Sequence, residues 1–191
     1  MTDFVEFRKI PRLSREIIIT EKIDGTNGVI FNGDDGEFLV GSKFRWITPE
    51  NDNFGFAKWA YEHKEELQTL GPGYHFGEWW GQGIQRNYGL KEKRFSLFNL
   101  GKWTDRLFVK RWGGDMASSF PSCCCVVPII NHGDFCDSTI SSAMLYLQAH
   151  GSIASTGFMK PEGIVIFHTQ SGYLFKKTFE NDDAGKGKDN Q

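Results

Sequence analysis

Residues 17–27, which read "IIITEKIDGTN", constrain the fold more than any other stretch of the chain. The apolar and β-branched run at 17–20 predicts a buried strand, and residues 28–31 predict a second one. The Asp-Gly pair at 24–25 lies between them and is a turn signal. Lys22 therefore lies at the end of a buried strand, at the edge of a core. A lysine amine in such a place is a candidate nucleophile, provided that its surroundings favour the unprotonated form.

The composition is that of a soluble globular protein. Hydrophobic residues make up 39% of the 191 residues and charged residues 24%, which predicts one folded domain over residues 1–180. The polar stretch 181–191 is expected to be disordered. A formal net charge of -2 gives no global basic field, so any contact with nucleic acid must come from a local patch. The sequence shows neither a signal peptide nor an apolar run of roughly 18–20 residues, which predicts a cytoplasmic protein without membrane contact.

The remaining patterns predict an α+β fold of mostly antiparallel strands with two or three helices. An amphipathic helix is expected at 55–69. Residues 138–149 are also expected to be helical, with Ser138 as the N-cap and Gly151 just past the end. The Asp-Gly turn and the later "GDDG" turn predict that the first three strands are joined as hairpins. Further strands are expected at 74–80, 94–100, 123–130, 162–167 and 172–179.

Six segments combine charged residues with glycines, aromatics or a buried strand, and they follow one another along the chain. They read "EKIDGTNG", "SKFRWITPENDNFGF", "FGEWWGQGIQRN", "RFSLFNL", "PEGIVIF" and "LFKKTFEND". In this order they resemble the covalent nucleotidyltransferase superfamily, the ATP-dependent ligases and mRNA capping enzymes, and are most similar to its phage-like RNA ligase 2-type branch. The resemblance implies an ATP-grasp-like core of antiparallel sheets, flanked by a few helices, with the nucleotide pocket between the sheets.

The resemblance assigns the catalytic residues. It implies that Lys22 attacks the α-phosphorus of ATP and becomes lysyl-AMP while pyrophosphate leaves. Lys176 would contact the α-phosphate and, by like-charge repulsion, favour the neutral amine of Lys22. Glu162 would position Mg²⁺ or Mn²⁺, directly or through water, as suits a cation that binds few carboxylates.

The same resemblance assigns residues that bind the nucleotide. Glu78 would contact the ribose hydroxyls, Phe98 would stack on the adenine, and Asn27 would lie near the nucleotide and the RNA end. The backbone around Glu21 and Ile23 would read the adenine edge.

The terminal phosphate has two candidate partners, Lys43 and Arg45. Lys43 stands where the family usually has an arginine, and Arg45 follows two residues later. Residues at i and i+2 of a strand face the same side, so either cation could reach the phosphate.

Three further features depart from the pattern of the family. Asp24 stands where RNA ligase 2-type enzymes often have histidine, and Asn99 replaces an acid that often follows the stacking aromatic. The last motif normally has two lysines around one residue, whereas Lys176 is followed by Lys177 and Thr178. Strand alternation places Lys176 and Thr178 on one face and Lys177 on the other.

Residue types alone leave plainer interpretations open. An isolated lysine is usually a solvated charge, Glu162 could be a turn acid, and Phe98 could be a core ring. Glu78 lies in an otherwise apolar strand, where a buried acid needs a partner or a function.

The expected function is that of an ATP-dependent RNA ligase that joins RNA ends or a nicked duplex, or DNA, in a bacterial or phage-infected cell. Lys91, Lys93 and Arg94, with the two cations of the "SKFRW" segment, could form a local basic patch. A DNA ligase core and a GTP-using capping enzyme are alternatives. A nucleotide- or RNA-binding subunit without turnover is another, and a partner subunit could then supply the domain that binds RNA ends.

Overall fold

A computed structural model describes residues 3–7, 9–98, 120–180 and 182. Over these ranges the chain forms ten strands and three helices in two sheets, which confirms the predicted α+β class. The strands are β1 (Glu16–Lys22), β2 (Thr26–Asn32), β3 (Phe38–Ser42), β4 (Trp46–Ile47), β5 (Gly73–Gly81), β6 (Lys93–Leu97), β7 (Cys124–Val126), β8 (Ile129–Asp134), β9 (Gly163–His168) and β10 (Leu174–Thr178). The helices are α1 (Phe56–Glu62), α2 (Lys64–Gln68) and α3 (Asp137–His150).

The smaller sheet is antiparallel and has the strand order β10-β9-β1-β8. Successive side chains of β1 point to opposite faces of this sheet. One face packs against α3 in a core of six buried residues, namely Ile17, Ile19, Ala143, Leu147, Ile164 and Ile166. The other face carries Lys22, so the alternation of β1 separates the core from the candidate nucleophile.

The larger sheet has the order β4-β3-β2-β5-β6-β7 and is antiparallel except for the β6–β7 pair. One of its faces packs against α1 and α2. The buried residues of this core include Ile30, Val40, Ile47, Phe56, Ala57, Ala60, Leu67, Trp79, Phe95 and Leu97.

A third apolar cluster joins the two sheets. Ile23, Trp80, Tyr88 and Val127 are buried together, with Ile18 of β1 packed against them. The cluster holds the sheets in contact at the end of β1.

Two predictions, one of a hairpin and one of a single strand, are wrong because the chain crosses between the sheets at these points. The Asp-Gly turn at 24–25 does not make a hairpin, since β1 and β2 lie in different sheets. The apolar run 123–130 is not one strand but two, β7 and β8, one in each sheet. The break falls at Pro128, which has no amide hydrogen and whose carbonyl accepts from the Glu21 amide at 2.9 Å. The predicted hairpins β2–β3 and β9–β10 are confirmed.

The helices also differ from the prediction in detail. The helix expected at 55–69 is divided into α1 and α2 at His63, which has φ -110° and ψ 19°. The His63 ring lies 2.8 Å from the Trp59 carbonyl, to which its own amide also donates. Ser138 is not the N-cap of α3, because Cys136 has that place in an extended conformation. The predicted end at Gly151 agrees with its position as C-cap.

Some predictions fall outside the described residues. Asn99 and all of the tail 181–191 except Asp182 lie there. Among the described residues, no helix is long and apolar enough to cross a membrane.

Replacing Gly77 by alanine should destabilise the protein, because the β2–β5 pair places Gly77 opposite Gly28 where aromatic rings pack on the sheet. A Cβ at Gly77 would lie 2.7 Å from the Phe95 ring, and one at Gly28 would lie 2.6 Å from the Phe56 ring. We expect Gly77→Ala to lower the free energy of unfolding by about 1–3 kcal/mol, the usual cost of overpacking. Urea denaturation followed by tryptophan fluorescence measures the change.

Gly133→Ala in β8 is the matched control. Its new Cβ would meet nothing closer than the Thr139 methyl group at 3.9 Å. Alanine reduces the entropy of the unfolded chain, so the stability should stay the same or rise by up to about 1 kcal/mol. A Gly77→Ala protein as stable as the Gly133→Ala protein would contradict the packing argument.

Candidate active site

The candidate nucleophile lies in the cleft between the sheets, beside a carboxylate. Lys22 is the last residue of β1, and its Nζ lies 2.6 Å from Oε2 of Glu162, which directly precedes β9. Both side chains are largely buried, with 24% and 18% of their surfaces exposed. The structure therefore brings together two of the predicted catalytic residues, 140 positions apart in the chain.

The backbone on both sides of this pair requires glycine. Gly163 pairs with Lys22 on one side and Thr178 on the other, and a Cβ on it would overlap the Lys177 carbonyl oxygen. Gly25 lies so close to β5 that a Cβ would fall 2.8 Å from Cβ of Trp80. The glycines of "KIDG" and "PEGI" thus allow the close approach of strands that forms the cleft.

Glu78 reaches into the cleft from the larger sheet. The Gly25 amide donates to its Oε1 at 3.0 Å, and the Asn27 amide group donates to its Oε2 at 3.3 Å. Burial raises the pKa of Glu78 to about 7, although the positive charge of Lys22 acts in the opposite direction. Near neutral pH this carboxyl group is thus divided between its neutral and ionised forms. A contact with the ribose stays a prediction.

Glu21 points away from the cleft and is buried in the protein. Its carboxylate accepts from the Ser152 hydroxyl at 2.5 Å and from the amides of Ile153 and Ala154 at 2.8 and 2.9 Å. Burial raises the pKa of Glu21, and these three donors partly offset the effect. Its own amide donates to Pro128, so an adenine contact here cannot use that hydrogen.

Ile23 and Phe98 have contrasting environments. Ile23 is buried between the sheets. Phe98 directly follows β6 and is 40% exposed, so it is not the core ring that its residue type alone allowed. Its ring is accessible for stacking, and the adenine contact stays a prediction.

Lys176 lies on the same face of the smaller sheet as Lys22. It pairs with Val165, which in turn pairs with Thr20 of β1. Two strands across and two residues along place the Lys176 and Lys22 Cα atoms about 12 Å apart, a gap that two extended lysines can span with a phosphate between them. Lys177 has the opposite orientation and pairs with Asp182 at 2.7 Å.

The two cations predicted for the terminal phosphate lie outside this cluster. Lys43 is exposed, with Nζ 4.9 Å from the centre of the Phe44 ring. Arg45 is also exposed and donates to the Asn51 carbonyl at 3.2 Å. Neither contacts Lys22, Glu78 or Glu162 in the part of the chain that the structure describes.

No role was predicted for Arg86 or Tyr88, yet both form hydrogen bonds to the turn after Lys22. Arg86 Nε lies 3.0 Å from Asp24 Oδ2, and its Nη2 lies 3.0 Å from Glu180 Oε2. The Asp24 amide donates to the Tyr88 hydroxyl at 2.8 Å. Asp24 could have predicted a partner such as Arg86, because an acid that stands where the family often has histidine needs a cationic partner inside a cleft.

The carboxylates of the cleft suit a cation that is held mainly by substrate and water. Over the described ranges, no three His, Cys, Asp or Glu residues converge as a metal cage. Glu162 and Glu78 approach from different sheets, and both interact electrostatically with Lys22. Mg²⁺ usually binds one or two carboxylates plus waters and substrate phosphates, so this donor set fits it.

The comparisons with known proteins point to one family. The family model described as RNA ligase matches residues 15–178. The RNA ligase of Naegleria gruberi has a similar fold in several solved structures. A mutant with ATP and Mn matches with a TM-score of 0.61 and 21% identity, covering 86% of this chain and 50% of that chain. The same ligase with PPi matches with a TM-score of 0.59 and 23% identity, covering 86% of this chain and 49% of that chain.

The likeness at these identities is one of fold. This chain spans about half the length of the Naegleria gruberi structures that it matches. A comparison with curated proteins found no match.

The raised pKa of Glu78 should make the stability of the protein depend on pH. Between the ordinary value of 4.5 and about 7, the unfolded chain releases this proton while the folded protein keeps it. The folded state binds more protons there, so this contribution to stability falls as the pH rises through the window. Between pH 4.5 and about 7, we expect the free energy of unfolding of wild type to fall by about 3 kcal/mol relative to that of Glu78→Gln. Urea denaturation at a series of pH values measures this change.

Glu78→Gln is a mild change, because glutamine keeps an oxygen for the Gly25 amide. The Asn27 amide group can turn to offer its oxygen to the new NH₂ group. Glu37→Gln, at an exposed acid just before β3, is the matched control. A difference in stability between wild type and Glu78→Gln that stays constant with pH would refute this explanation.

Proposed function

Because the chain belongs to the RNA ligase family, we propose that it is an ATP-dependent RNA ligase that acts through adenylated Lys22. The observation that carries the proposal is the Lys22–Glu162 pair in the cleft between the two sheets. Glu78, Asn27 and the Phe98 ring lie on the other wall of the cleft or at its edge. A partly buried amine beside a carboxylate, together with an accessible aromatic ring, suits a site that binds a nucleotide and reacts with it.

The first step is the transfer of AMP to Lys22. The ammonium group gives one proton to Glu162, whose carboxylate is the adjacent base at 2.6 Å. The neutral amine attacks the α-phosphorus of ATP, so that an N–P bond forms, the P–O bond to pyrophosphate breaks, and pyrophosphate leaves with the electron pair. The second amine proton then passes to solvent. Lys176, on the same face of the sheet, neutralises charge on the α-phosphate.

The carboxylates of the cleft suit a divalent cation. Mg²⁺ or Mn²⁺, when bound, neutralises charge on the leaving pyrophosphate. Glu162, and from the opposite wall Glu78, are the carboxylates that would hold it or its waters. Solved structures of the Naegleria gruberi RNA ligase hold ATP and Mn, AMP and Mn, or PPi, which supports this choice of substrate and metal.

The later steps use RNA. An oxygen of an RNA 5′-phosphate attacks the phosphorus of lysyl-AMP, a P–O bond forms, and the N–P bond breaks to restore the amine. A 3′-hydroxyl then attacks the 5′-phosphorus, joins the strands and releases AMP. The residues proposed for adenylation all lie on this chain, whereas recognition of the RNA ends could also use a further domain or a partner subunit.

The label test for the first step uses Mg²⁺ and α-labelled ATP. Wild type should acquire a label that survives denaturation, because a phosphoramidate is covalent. Lys22→Ala should reduce this label to background, since no other amine lies 2.6 Å from Glu162 in the described part of the chain. Lys58→Ala, at an exposed lysine of α1, is the matched control and should label like wild type.

The outcomes separate this proposal from its alternatives. Label from GTP alone would favour a capping nucleotidyltransferase, and absence of label from both nucleotides would favour a binding subunit. Sealing of nicked DNA but not nicked RNA by the labelled protein would favour a DNA ligase core. Equal labelling of wild type and Lys22→Ala would remove Lys22 from the mechanism.

A further inference from the structure

The face of the larger sheet that does not touch α1 carries a row of exposed aromatic rings. Phe31 of β2 lies opposite Tyr74 of β5. The pairing of β4, β3, β2 and β5 places Trp46 and Phe76 on the same face of the sheet as these two rings. Trp46, Tyr74 and Phe76 are 47%, 55% and 54% exposed. Phe98 extends the row, since its amide donates to the Phe76 carbonyl at 2.9 Å.

The rings form one surface and are not scattered apolar groups. The Tyr74 and Phe76 ring planes differ by 9° with centroids 5.9 Å apart, and those of Trp46 and Tyr74 differ by 22° with centroids 6.4 Å apart. The Phe31 ring lies beside the Tyr74 ring, with the two centroids 4.7 Å apart. Among the strand residues described on this face, every exposed large apolar side chain is aromatic. The two aliphatic residues on this face, Val29 and Leu39, are only partly exposed, so the surface that a partner would meet is mainly aromatic.

The row begins at the candidate active site. Phe76 lies two residues before Glu78 in β5 and points to the same face. Tyr74 lies two residues farther, so about 13 Å of strand separates it from Glu78. A nucleotide strand that leaves the cleft over this face would therefore meet Phe76 and then Tyr74.

The charges at the two ends of the row differ in sign. Lys43 and Arg45 are exposed at the end nearer Asn27, because β3 runs antiparallel to β2. Neither of them forms an ion pair with a residue that the structure describes. The acidic turn 33–36 lies at the other end, beyond β2. A polyanion is thus attracted near the cleft and repelled beyond Phe31, which limits the length that can bind.

We propose that this aromatic face, formed by Phe31, Trp46, Tyr74 and Phe76, binds a short single-stranded segment of RNA by stacking on its bases. The partner is RNA because the inference rests on the RNA ligase function proposed above. Stacking tolerates any sequence, since every base has a π-face. The length of the row accommodates about two to four nucleotides next to the nucleotide cleft.

The double variant Trp46→Leu/Tyr74→Leu tests the proposal. Leucine keeps an apolar side chain but removes the π-face, so it separates base stacking from apolar docking. We expect the affinity for a labelled single-stranded RNA of roughly ten nucleotides to fall by about 10- to 100-fold, as measured by fluorescence anisotropy. Adenylation from ATP needs no RNA and should match wild type.

Three controls accompany the double variant. Tyr74→Phe keeps the ring and should bind RNA like wild type. Tyr146→Leu replaces an exposed tyrosine on α3 and should also bind like wild type. A blunt RNA duplex hides its bases, so it should be insensitive to the double variant. Urea denaturation establishes that each variant is folded.

The possible results distinguish this inference from the proposed function. Unchanged RNA affinity in a folded, adenylating double variant would overturn the inference and leave the ligase proposal standing. If the double variant binds RNA more weakly but wild type is not adenylated, the inference would stand and the ligase proposal would be overturned. An equal loss of duplex binding would exclude stacking. A wild-type dimer that dissociates in the double variant, with RNA affinity unchanged, would assign the face to a second copy of the chain.

Discussion

The hydrogen bond from the Gly25 amide to the Glu78 carboxylate joins the two sheets where the candidate chemistry is placed. β1 and β2 lie in different sheets, so the chain must cross between them within residues 23–25. A side chain at position 25 would overlap the Trp79 carbonyl, and only glycine lets the turn approach β5 so closely. The cleft depends on this crossing, because Lys22 ends one sheet immediately before the turn that contacts the other.

Along β1, the residues that stabilise the site and the residue proposed for its chemistry point to opposite faces of the sheet. Neighbouring residues of a strand point to opposite faces. The Glu21 carboxylate therefore enters the interior, where Ser152 and two backbone amides satisfy it. Lys22 enters the cleft and meets Glu162. A buried carboxylate that lost these donors would be costly, so the same contacts that stabilise β1 also hold the backbone of the nucleophile in place. The larger sheet uses the same alternation, with a core on one face and aromatic rings on the other.

Much of the fold could be read from local patterns. The run 17–20 has the composition of a buried strand, and the later hairpin β9–β10 follows from two apolar runs around a polar turn. The end of helix α3 follows from the glycine just past it. The family could also be recognised, because its motifs are short segments whose order along the chain is visible without a structure. These features depend on residues close together in sequence, where alternation, helical period and turn chemistry act directly.

The sequence by itself thus determined the types of element, the strand-end position of Lys22 and the family. Only the tertiary structure decided that the turn after Lys22 crosses between sheets, that Pro128 divides one apolar run between them, and that Arg86 is the partner of Asp24. It also decided that Phe98 is accessible and lies in a row with Phe76. The physical reason is distance along the chain: these contacts join segments that lie far apart in sequence. A local pattern shows that an acid or a ring needs a partner, but the packing of both sheets selects which one it meets.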